Sequence, residues 1–320
     1  MVAATAAILL FACDPSNCMK SQISLSLSKN LGPLLITGAT GTLGRAFARL
    51  CDERGLDYRL LSRAEMDIAS EASIESALAR YQPWAIVNAA GYVRVDDAEA
   101  DVERCFRENT LGPALLASLC AQNDIALMTF SSDLVFDGAQ RAPYVETDPI
   151  APLNIYGVSK AEAEKRVLDS HPGALVIRTS AFFSPWDEYN FITMAMGALR
   201  EGRTFLASAD LTVSPTYVPD LVNTSLDLMI DGESGIWHLS NAGAVTWAAL
   251  VWRAAELAEI DPSPVQACRS EQLGFRARRP TYSALGSVRS SLMPALDDAL
   301  GRYLNDCRHR TGKEGAGKDM

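Results

Sequence analysis

From residue 34 onward, short apolar runs alternate with longer patterns in which apolar positions recur at helical spacing. In chain order the runs read PLLIT, YRLLS, WAIVNAA, IALMTFSS and GALVIRTS. Most are apolar at nearly every position, which is typical of parallel strands buried on both faces. A strand, helix, strand rhythm at this pace predicts βαβ units. We therefore expect an α/β protein with a Rossmann-type, doubly wound parallel sheet.

The rhythm changes after residue 180. Proline interrupts the pattern in SPWDEY and VSPTYVPDL, longer loops join the helical patterns, and GIWHLSN predicts one later strand. We expect a larger domain over residues 31–180 and a smaller, mostly helical C-terminal domain over 181–307, partly interleaved with the sheet. Polar, Ser-rich composition predicts a disordered extension or linker over 1–30, and Gly- and Lys-rich composition a disordered tail over 308–320.

Composition narrows the classes of partner. The formal net charge is −10, whereas nucleic-acid binding requires a surplus of Lys and Arg on one face; we expect no nucleic-acid partner. Seven scattered cysteines without a CxxC pair indicate neither a disulfide framework nor a metal site, and favour a reducing cytoplasm. The initial MVAATAAILLFAC lacks the positive region of a signal peptide, and no stretch approaches about 18 continuous apolar residues, so we expect no membrane span.

The segment GATGTLG follows the first predicted strand and opens the first predicted helix. This is the context that a dinucleotide-binding fingerprint requires. The first glycine permits the tight turn, the second lets the backbone approach the pyrophosphate, and the third allows close packing of helix on strand. The helix N-terminus presents N–H groups to the phosphates. The larger domain is thus predicted to bind NAD(P), and the expected cradle residues are Gly38, Thr40, Gly41, Thr42, Leu43 and Gly44.

The end of the second predicted strand bears on which dinucleotide is bound. An NAD site usually offers a carboxylate to the ribose hydroxyls, whereas an arginine accommodates the 2′-phosphate of NADP. Here LLSRAEMD places Ser62 and Arg63 at the strand end and no acid. Asp67 and Ile68 follow, where they could flank the adenine. We expect NADPH as cofactor, with NADH as the alternative, in which case Arg63 is a solvated loop residue.

The segment NIYGVSK suggests the chemistry. Tyr156 and Lys160 lie one helical turn apart and project on the same face. A phenol with a pKa of about 10 is a poor acid–base catalyst near neutral pH unless a cation stabilises the phenolate; Lys160 supplies that cation and could hold the nicotinamide ribose. Ser132 ends the fourth predicted strand, where it could hydrogen-bond the reacting oxygen. We predict these three residues as the catalytic set of an oxidoreductase.

With these motifs the chain resembles the extended short-chain dehydrogenase/reductase family, and within it the dTDP-4-dehydrorhamnose reductases, from about Pro33 to about Leu304. The landmarks are ITGATGTLG, VNAAGYVRVDDAE, RENTLGP, SSDLVFDG, NIYGVSKAEAE and RPTYSALG. The resemblance implies reduction of the C4 keto group of a nucleotide-linked 6-deoxy sugar, dTDP-4-dehydro-L-rhamnose, with a proton from Tyr156. It also suggests a homodimer. Some family members bind Mg²⁺ at a dimer contact, but nothing in this sequence identifies such a site.

The resemblance assigns further residues. Those that would line the cofactor are Ala89, Ala90 and Gly91, after the third strand, and Asn109, on the following helix. Those that would bind the nucleotide sugar are Val93, Ser132, Asp133, Tyr156 and Asn190.

Two positions depart from the reductase pattern. Leu134 stands where the reductases have an aromatic residue, and Ala181 replaces a tryptophan. These changes indicate a different 4-keto sugar, a pocket filled by Phe182 or Phe183, or sequence drift without a change of function. Trp247 falls on a helical pattern, and we interpret it as a packing residue.

Two other functions stay open. Some relatives in the family are non-catalytic and serve as the regulatory partner of methionine adenosyltransferase; the intact serine, tyrosine and lysine argue against that function, and Leu134 and Ala181 argue for it. A nucleotide-sugar epimerase or dehydratase would retain NAD through its cycle, which Arg63 and the missing strand-end acid count against. Dehydratases also place an Asp–Glu pair after the Ser/Thr, where this chain has Asp133 followed by leucine.

Overall fold

The computed structural model describes residues 32–316, with side chains through residue 309. The expected N-terminal extension and the last four residues lie outside this range. The strands are β1 (Leu34–Thr37), β2 (Tyr58–Leu61), β3 (Ala85–Asn88), β4 (Ala126–Ser132), β5 (Leu175–Thr179), β6 (Phe182–Phe183), β7 (Phe205–Ser208), β8 (Thr212–Val213), β9 (Thr216–Tyr217), β10 (Gly235–His238), β11 (Val245–Thr246) and β12 (Val265–Cys268). The α-helices are α1 (Thr42–Arg54), α2 (Glu71–Tyr81), α3 (Val102–Phe106), α4 (Gly112–Gln122), α5 (Ile155–Ser170), α6 (Phe191–Arg200), α7 (Val218–Ile230), α8 (Trp247–Leu257) and α9 (Leu296–Ala316).

The central sheet is parallel throughout, as the apolar runs predict. Its strand order is β2–β1–β3–β4–β5–β10, and Leu34 of β1 pairs with Tyr58 on one side and Ala85 on the other. The order reverses between β1 and β3, and ligands of such sheets bind beyond the carboxyl ends of the strands at this switch point. The expected Rossmann-type architecture is confirmed, and it places the fingerprint glycines at the switch point.

Both faces of the sheet are covered by apolar side chains. Every residue of β1, β3 and β5 is buried. Ile36 contributes to a cluster on one face with Phe47 of α1 and Leu221 of α7, and Leu35 contributes to a second cluster on the other face with Ile74 of α2. Complete burial of a side chain such as Phe47 contributes about 1.5–3 kcal/mol to stability, so these two clusters hold the helices against the sheet.

A separate apolar cluster unites α6, α8 and α9. Phe183 belongs to this cluster, with its ring centre 5.3 Å from that of Tyr217 and 5.5 Å from that of Tyr303. The C-terminal part also contributes β10 to the central sheet and α7 to its cover. The domain boundaries themselves stay a prediction.

The last helix continues further than expected. Helix α9 runs to Ala316 and takes in residues 308–316, which composition assigns to a disordered tail. Its first turn carries Asp297 and Asp298, which complement the helix dipole, and Leu300 and Tyr303 anchor it in the cluster with α6 and α8. Of the residues that the structure describes, no helix is long and apolar enough to cross a membrane.

Candidate active site

The turn after β1 forms a cradle made of backbone. Gly38 has a φ of +80°, and a Cβ there would lie 2.6 Å from the carbonyl oxygen of Ala89. A Cβ on Gly44 would lie 2.3 Å from the carbonyl oxygen of Gly38. Gly41 caps α1 without a side-chain hydrogen bond, so the first-turn N–H groups face outward at the positive end of the helix dipole. The cradle fits a pyrophosphate, which requires close approach to backbone N–H groups.

The other expected cradle residues differ in their surroundings. Thr40 is exposed and Leu43 is buried. The Thr42 hydroxyl donates a hydrogen bond to the Oδ2 of Asp187 at 3.0 Å. Next to this contact, the Arg49 guanidinium lies 4.8 Å from the ring centre of Trp186. The loop after β6 therefore contacts the cradle, which sequence reasoning missed because Asp187 is 145 residues away from Thr42.

The end of β2 carries an acid, contrary to the expectation from sequence. A turn folds Glu65 back so that its Oε2 accepts from the amide of Ser62 at 2.8 Å and from the Ser62 hydroxyl at 2.7 Å. These bonds lower the pKa of Glu65, so the group is ionised at neutral pH. The Ser–x–x–Glu spacing of the capping box is the signal that could have revealed it.

Arg63 is part of an ionic cluster beside this turn. It lies 2.9 Å from Glu108 and 3.5 Å from Asp67, so it is paired rather than only solvated. Arg107 donates to Asp67 at 2.7 Å, and its other terminal nitrogen, Nη1, is buried without a hydrogen-bond partner among the described residues. Ile68 packs against the start of α4, since a Cβ on Gly112 would lie 2.7 Å from it. The cluster offers cationic nitrogens where the adenosine end of a dinucleotide would lie.

The turn after β3 connects the cradle to the predicted catalytic lysine. The amide of Ala90 donates to the Thr37 hydroxyl at 3.1 Å. A Cβ on Gly91 would lie 2.8 Å from the Oδ1 of Asn109 and 3.6 Å from the Nζ of Lys160. Asn109 lies in a short π-helical segment, is fully buried, and accepts from the amide of Tyr92 at 2.8 Å. Asn109 thus holds this turn against Lys160.

Helix α5 brings the predicted catalytic residues together at the end of β4. Its N-cap, Asn154, accepts from the amide of Gly157 at 2.8 Å, and a Cβ on Gly157 would lie 2.2 Å from the carbonyl oxygen of Leu134. Because the helix approaches so closely, Tyr156 lies near Ser132, and both residues line the same cavity. The Nζ of Lys160 lies 5.8 Å from the centre of the Tyr156 ring.

Burial changes the acid–base properties of both α5 residues. It lowers the pKa of Lys160 to about 8, and the Nζ donates to the carbonyl oxygen of Phe130 at 3.0 Å. For Tyr156, burial and then the charge of Asp133 raise the pKa, against the effect of the hydrogen bond with Ser132. Lys160 is not among the groups that shift the Tyr156 pKa in this structure, so the lowering expected from the sequence does not occur here. A raised pKa keeps the phenol protonated, so that Tyr156 can act as an acid.

A cavity of about 480 Å³ opens beside these residues. Ser132, Asp133 and Tyr156 lie in its lining. The expected residue Val93 lines it too, as do both positions that depart from the reductase pattern, Leu134 and Ala181. Its aromatic lining residues are Phe182, Phe191, Trp247 and Phe275. The cavity is large enough for a small-molecule ligand.

Several lining residues were not foreseen. Trp247, interpreted from sequence as a packing residue, lines the cavity and also packs on Phe191 with ring centres 4.5 Å apart. Of the two phenylalanines offered as replacements for the missing tryptophan, Phe182 lines the cavity. Arg279 lies at the cavity, where Asp96 holds its guanidinium through two hydrogen bonds of 2.6 and 2.7 Å.

Asn190 has a structural position in this protein. It caps α6 by accepting from the amide of Thr193 at 3.0 Å, and its Nδ2 donates to the carbonyl oxygen of Ser184 at 3.0 Å. Within the described residues, the cavity lining does not include it. Contact of Asn190 with a substrate stays a prediction. Among the described side chains, no three His, Cys, Asp or Glu residues form a group that could hold a metal ion.

Fold and site together define a class: an α/β dinucleotide-binding protein with serine, tyrosine and lysine at the carboxyl edge of its sheet, as in extended short-chain dehydrogenases/reductases. The family model described as the RmlD substrate binding domain matches residues 32–298, and the chain belongs to this family.

Named relatives are similar over most of their length. The chain is 35% identical to a dTDP-4-dehydrorhamnose reductase of Mycolicibacterium smegmatis, over 81% of this chain and 79% of the relative. It is 33% identical to a dTDP-4-keto-6-deoxy-D-glucose reductase of Streptomyces niveus, over 79% of this chain and 88% of the relative. A crystal structure of dTDP-4-dehydrorhamnose reductase from Bacillus anthracis in complex with NADP superimposes with a TM-score of 0.82 at 27% identity, covering 86% of this chain and 99% of that one.

Proposed function

We propose that this protein is an NADPH-dependent reductase that converts the C4 keto group of dTDP-4-dehydro-L-rhamnose into the hydroxyl of dTDP-L-rhamnose. The observation that carries the proposal is the position of Tyr156. It lies in the lining of the cavity, beside Ser132, and one helical turn from Lys160, which adjoins the Gly91 turn of the cofactor side. The family and the two named reductases support the same reaction class.

Each part of the site has its own role in the proposed reaction. The backbone around Gly38 and Gly44 holds the pyrophosphate, and Lys160 holds the nicotinamide ribose at the Gly91 turn. The bound dinucleotide supplies the hydride that C4 of the sugar accepts. Tyr156 donates its proton to the former keto oxygen, so that the product gains one hydride and one proton. The ammonium of Lys160 stabilises the resulting phenolate until solvent returns the proton.

The ionic cluster supports NADPH over NADH. Arg63 and Arg107 supply the positive charge that a 2′-phosphate requires, and Arg107 has a buried nitrogen without a partner among the described residues. Glu65, at the end of β2, favours NADH instead, because a carboxylate there binds the free ribose hydroxyls. We therefore propose that NADPH is preferred and that NADH is used less efficiently.

We place the reaction in the cytoplasm. Cys51, Cys105 and Cys120 are buried thiols outside any disulfide, a state that a reducing compartment maintains. We propose the nucleotide sugar as the small-molecule partner of the protein.

The test is NADPH oxidation by the purified protein, measured with dTDP-4-dehydro-L-rhamnose and, separately, with dTDP-4-keto-6-deoxy-D-glucose. We expect turnover of the first sugar, faster with NADPH than with NADH. Tyr156→Phe should lower kcat by a factor of about 10²–10⁴ and leave the Kd for NADPH unchanged. Turnover of only the second sugar would correct the substrate. NADPH binding without turnover of either would overturn the proposed reaction and favour a regulatory function.

A further inference from the structure

The cavity beside Tyr156 has a single cationic side chain in its lining. Among the lining residues that the structure describes, only Asp133 and Arg279 are acidic or basic. The Asp133 carboxyl accepts hydrogen bonds from three serine hydroxyls, so its oxygens are occupied within the protein. Arg279 lies on the loop after β12, and its side chain is 18% exposed. A negatively charged part of a ligand in this cavity would therefore find its charge partner at Arg279.

Arg279 keeps donors that no described residue occupies. Its Nη1 donates to the Oδ1 of Asp96 at 2.6 Å and to the carbonyl oxygen of Ala277 at 2.6 Å. Its Nη2 donates to the Oδ2 of Asp96 at 2.7 Å. Since a guanidinium has five N–H donors, the Nε hydrogen and the second Nη2 hydrogen remain. These two lie on one edge of the planar group, the arrangement that binds a phosphate through two parallel hydrogen bonds.

Asp96 holds the whole loop as well as the guanidinium. Its Oδ1 accepts from the amides of Arg276 at 2.7 Å and Ala277 at 2.9 Å. On the same loop, the centre of the Phe275 ring lies 4.3 Å from the guanidinium carbon of Arg279. The side chain is thus fixed by a carboxylate at one edge and an aromatic ring on one face. A preorganised donor loses less conformational entropy when it binds a ligand.

The loop is also attached to the helix that carries Tyr156. The carbonyl oxygen of Arg278 accepts from the Nδ2 of Asn154 at 2.8 Å. Asn154 is the N-cap of α5, two residues before Tyr156. Because this hydrogen bond joins the loop to the start of α5, the unoccupied edge of Arg279 has a defined position relative to the Tyr156 hydroxyl.

The charge of a nucleotide-linked sugar lies on the diphosphate, next to the sugar ring. We propose that Arg279 binds this diphosphate through its Nε and Nη2, with Asp96 fixing the guanidinium, and so sets the position of the sugar ring relative to Tyr156. The choice of a nucleotide sugar rests on the proposed function. The binding of a nucleoside diphosphate does not depend on turnover and can be measured alone.

A purely structural role of Arg279 predicts a different result. If the residue only tied the loop to Asp96, its replacement would disturb the cavity and weaken the binding of every ligand there to the same extent. A contact with the diphosphate affects only ligands that carry phosphate. Thymidine and dTDP differ only in their phosphates, so the comparison of their affinities separates the two roles.

The first experiment measures the Kd values of dTDP and thymidine by ligand-observed NMR, with the full-length protein. We expect Arg279→Gln to raise the Kd of dTDP about 10–100-fold, because a charge-assisted pair of hydrogen bonds is lost, and to leave that of thymidine unchanged. Arg279→Lys keeps the charge without the planar edge and should give a smaller, equally selective loss. It also replaces Arg279→Gln as the test if that variant does not fold.

The matched control is Arg278→Gln, an exposed arginine of the same loop that is absent from the cavity lining. It should change neither Kd. An equal loss of thymidine and dTDP binding in the Arg279 variants, an unchanged Kd of dTDP, or no binding of dTDP to the unaltered protein would overturn the proposal.

The second experiment separates this site from the cofactor site and from the reaction. Arg279→Gln should leave the Kd for NADPH unchanged and raise the KM of the sugar substrate more than it lowers kcat. A weaker affinity for NADPH with unchanged affinity for dTDP would assign Arg279 to the cofactor and contradict the proposal. If the unaltered protein turns over neither sugar, the proposed function fails, and the comparison of dTDP with thymidine still decides whether Arg279 binds a diphosphate.

Discussion

The phosphate cradle and the cavity beside it are built from different parts of the chain. The cradle consists of backbone from one short segment, residues 37–44, closed by the carbonyl oxygen of Ala89. The cavity is lined by side chains from segments that range from Val93 to Ser283. A backbone site depends on the absence of side chains, whereas a side-chain site depends on distant contacts such as the one between Asp133 and Ser283. The two regions should therefore respond differently to substitution.

The largest effect is expected from a single methyl group in the cradle. Gly44→Ala places a Cβ 2.3 Å from the Gly38 carbonyl oxygen, and because that neighbour is backbone, the turn must shift. We expect the Kd for NADPH, measured by fluorescence titration, to rise at least about 100-fold, which corresponds to about 2.7 kcal/mol.

The matched control is Gly197→Ala on α6, where a Cβ meets no atom within 4 Å. It should leave NADPH affinity unchanged and increase the stability by up to about 1 kcal/mol, because alanine favours the helix. Equal affinities of the Gly44→Ala variant and the unaltered protein would contradict a close approach of the dinucleotide to this backbone.

On the cavity side, we expect that a substitution of Lys160 abolishes turnover but makes the folded protein more stable. Burial holds the pKa of Lys160 at about 8, below its ordinary 10.5. Below pH 8 both folded and unfolded chains carry the proton, and the folded state bears the full cost of a buried charge. Between about pH 8 and 10.5 only the unfolded chain is protonated, so the stability of the unaltered protein rises with pH.

Lys160→Met should therefore be more stable at pH 7 by about 1–3 kcal/mol, the lower part of the range reflecting the lost hydrogen bond to Phe130. The difference should narrow toward pH 10, and turnover should be lost. Urea unfolding at both pH values, without dinucleotide, measures this difference. If Lys160→Met were less stable than the unaltered protein at pH 7, burial would not be lowering the pKa of Lys160.

The smallest effect is expected at Asp187, where the loop after β6 contacts the cradle. The Asp187 carboxylate accepts from Thr42 at the N-terminus of α1, the position that a phosphate would favour. Asp187→Asn removes a negative charge from this place, and we expect NADPH to bind about 2–5-fold more tightly. The neighbouring, exposed Glu188 offers the control, Glu188→Gln. Weaker binding by Asp187→Asn would mean that the carboxylate supports the cofactor side rather than competing with phosphate.

The same difference between the regions explains what sequence can predict. The cradle is local: an apolar run, three glycines and a helix pattern lie within some twenty residues, and the structure has β1 and α1 at those places. The parallel sheet was predictable for the same reason, because burial on both faces makes most strands apolar at nearly every position. The spacing of Tyr156 and Lys160 on one helix face is also a local property.

Contacts between distant segments produce no such local pattern in the sequence. The pairing of Arg63 with Glu108 crosses 45 residues, and that of Thr42 with Asp187 crosses 145. The fold-back of Glu65 onto Ser62 is local, but its pattern is shared with ordinary helix caps. Asn190, which the resemblance assigns to the substrate, also caps α6, a role that the resemblance does not predict.

In the proposed reaction, Tyr156 and a dinucleotide held by the cradle together reduce the keto group at C4 of the sugar. The most direct measurement uses NADPH that carries deuterium at the transferable position of the nicotinamide, with dTDP-4-dehydro-L-rhamnose as substrate. NMR of the product should show deuterium at C4 of the sugar, one per molecule, and none should be transferred by Tyr156→Phe at matched times. Product without deuterium, or deuterium at another carbon, would contradict the account.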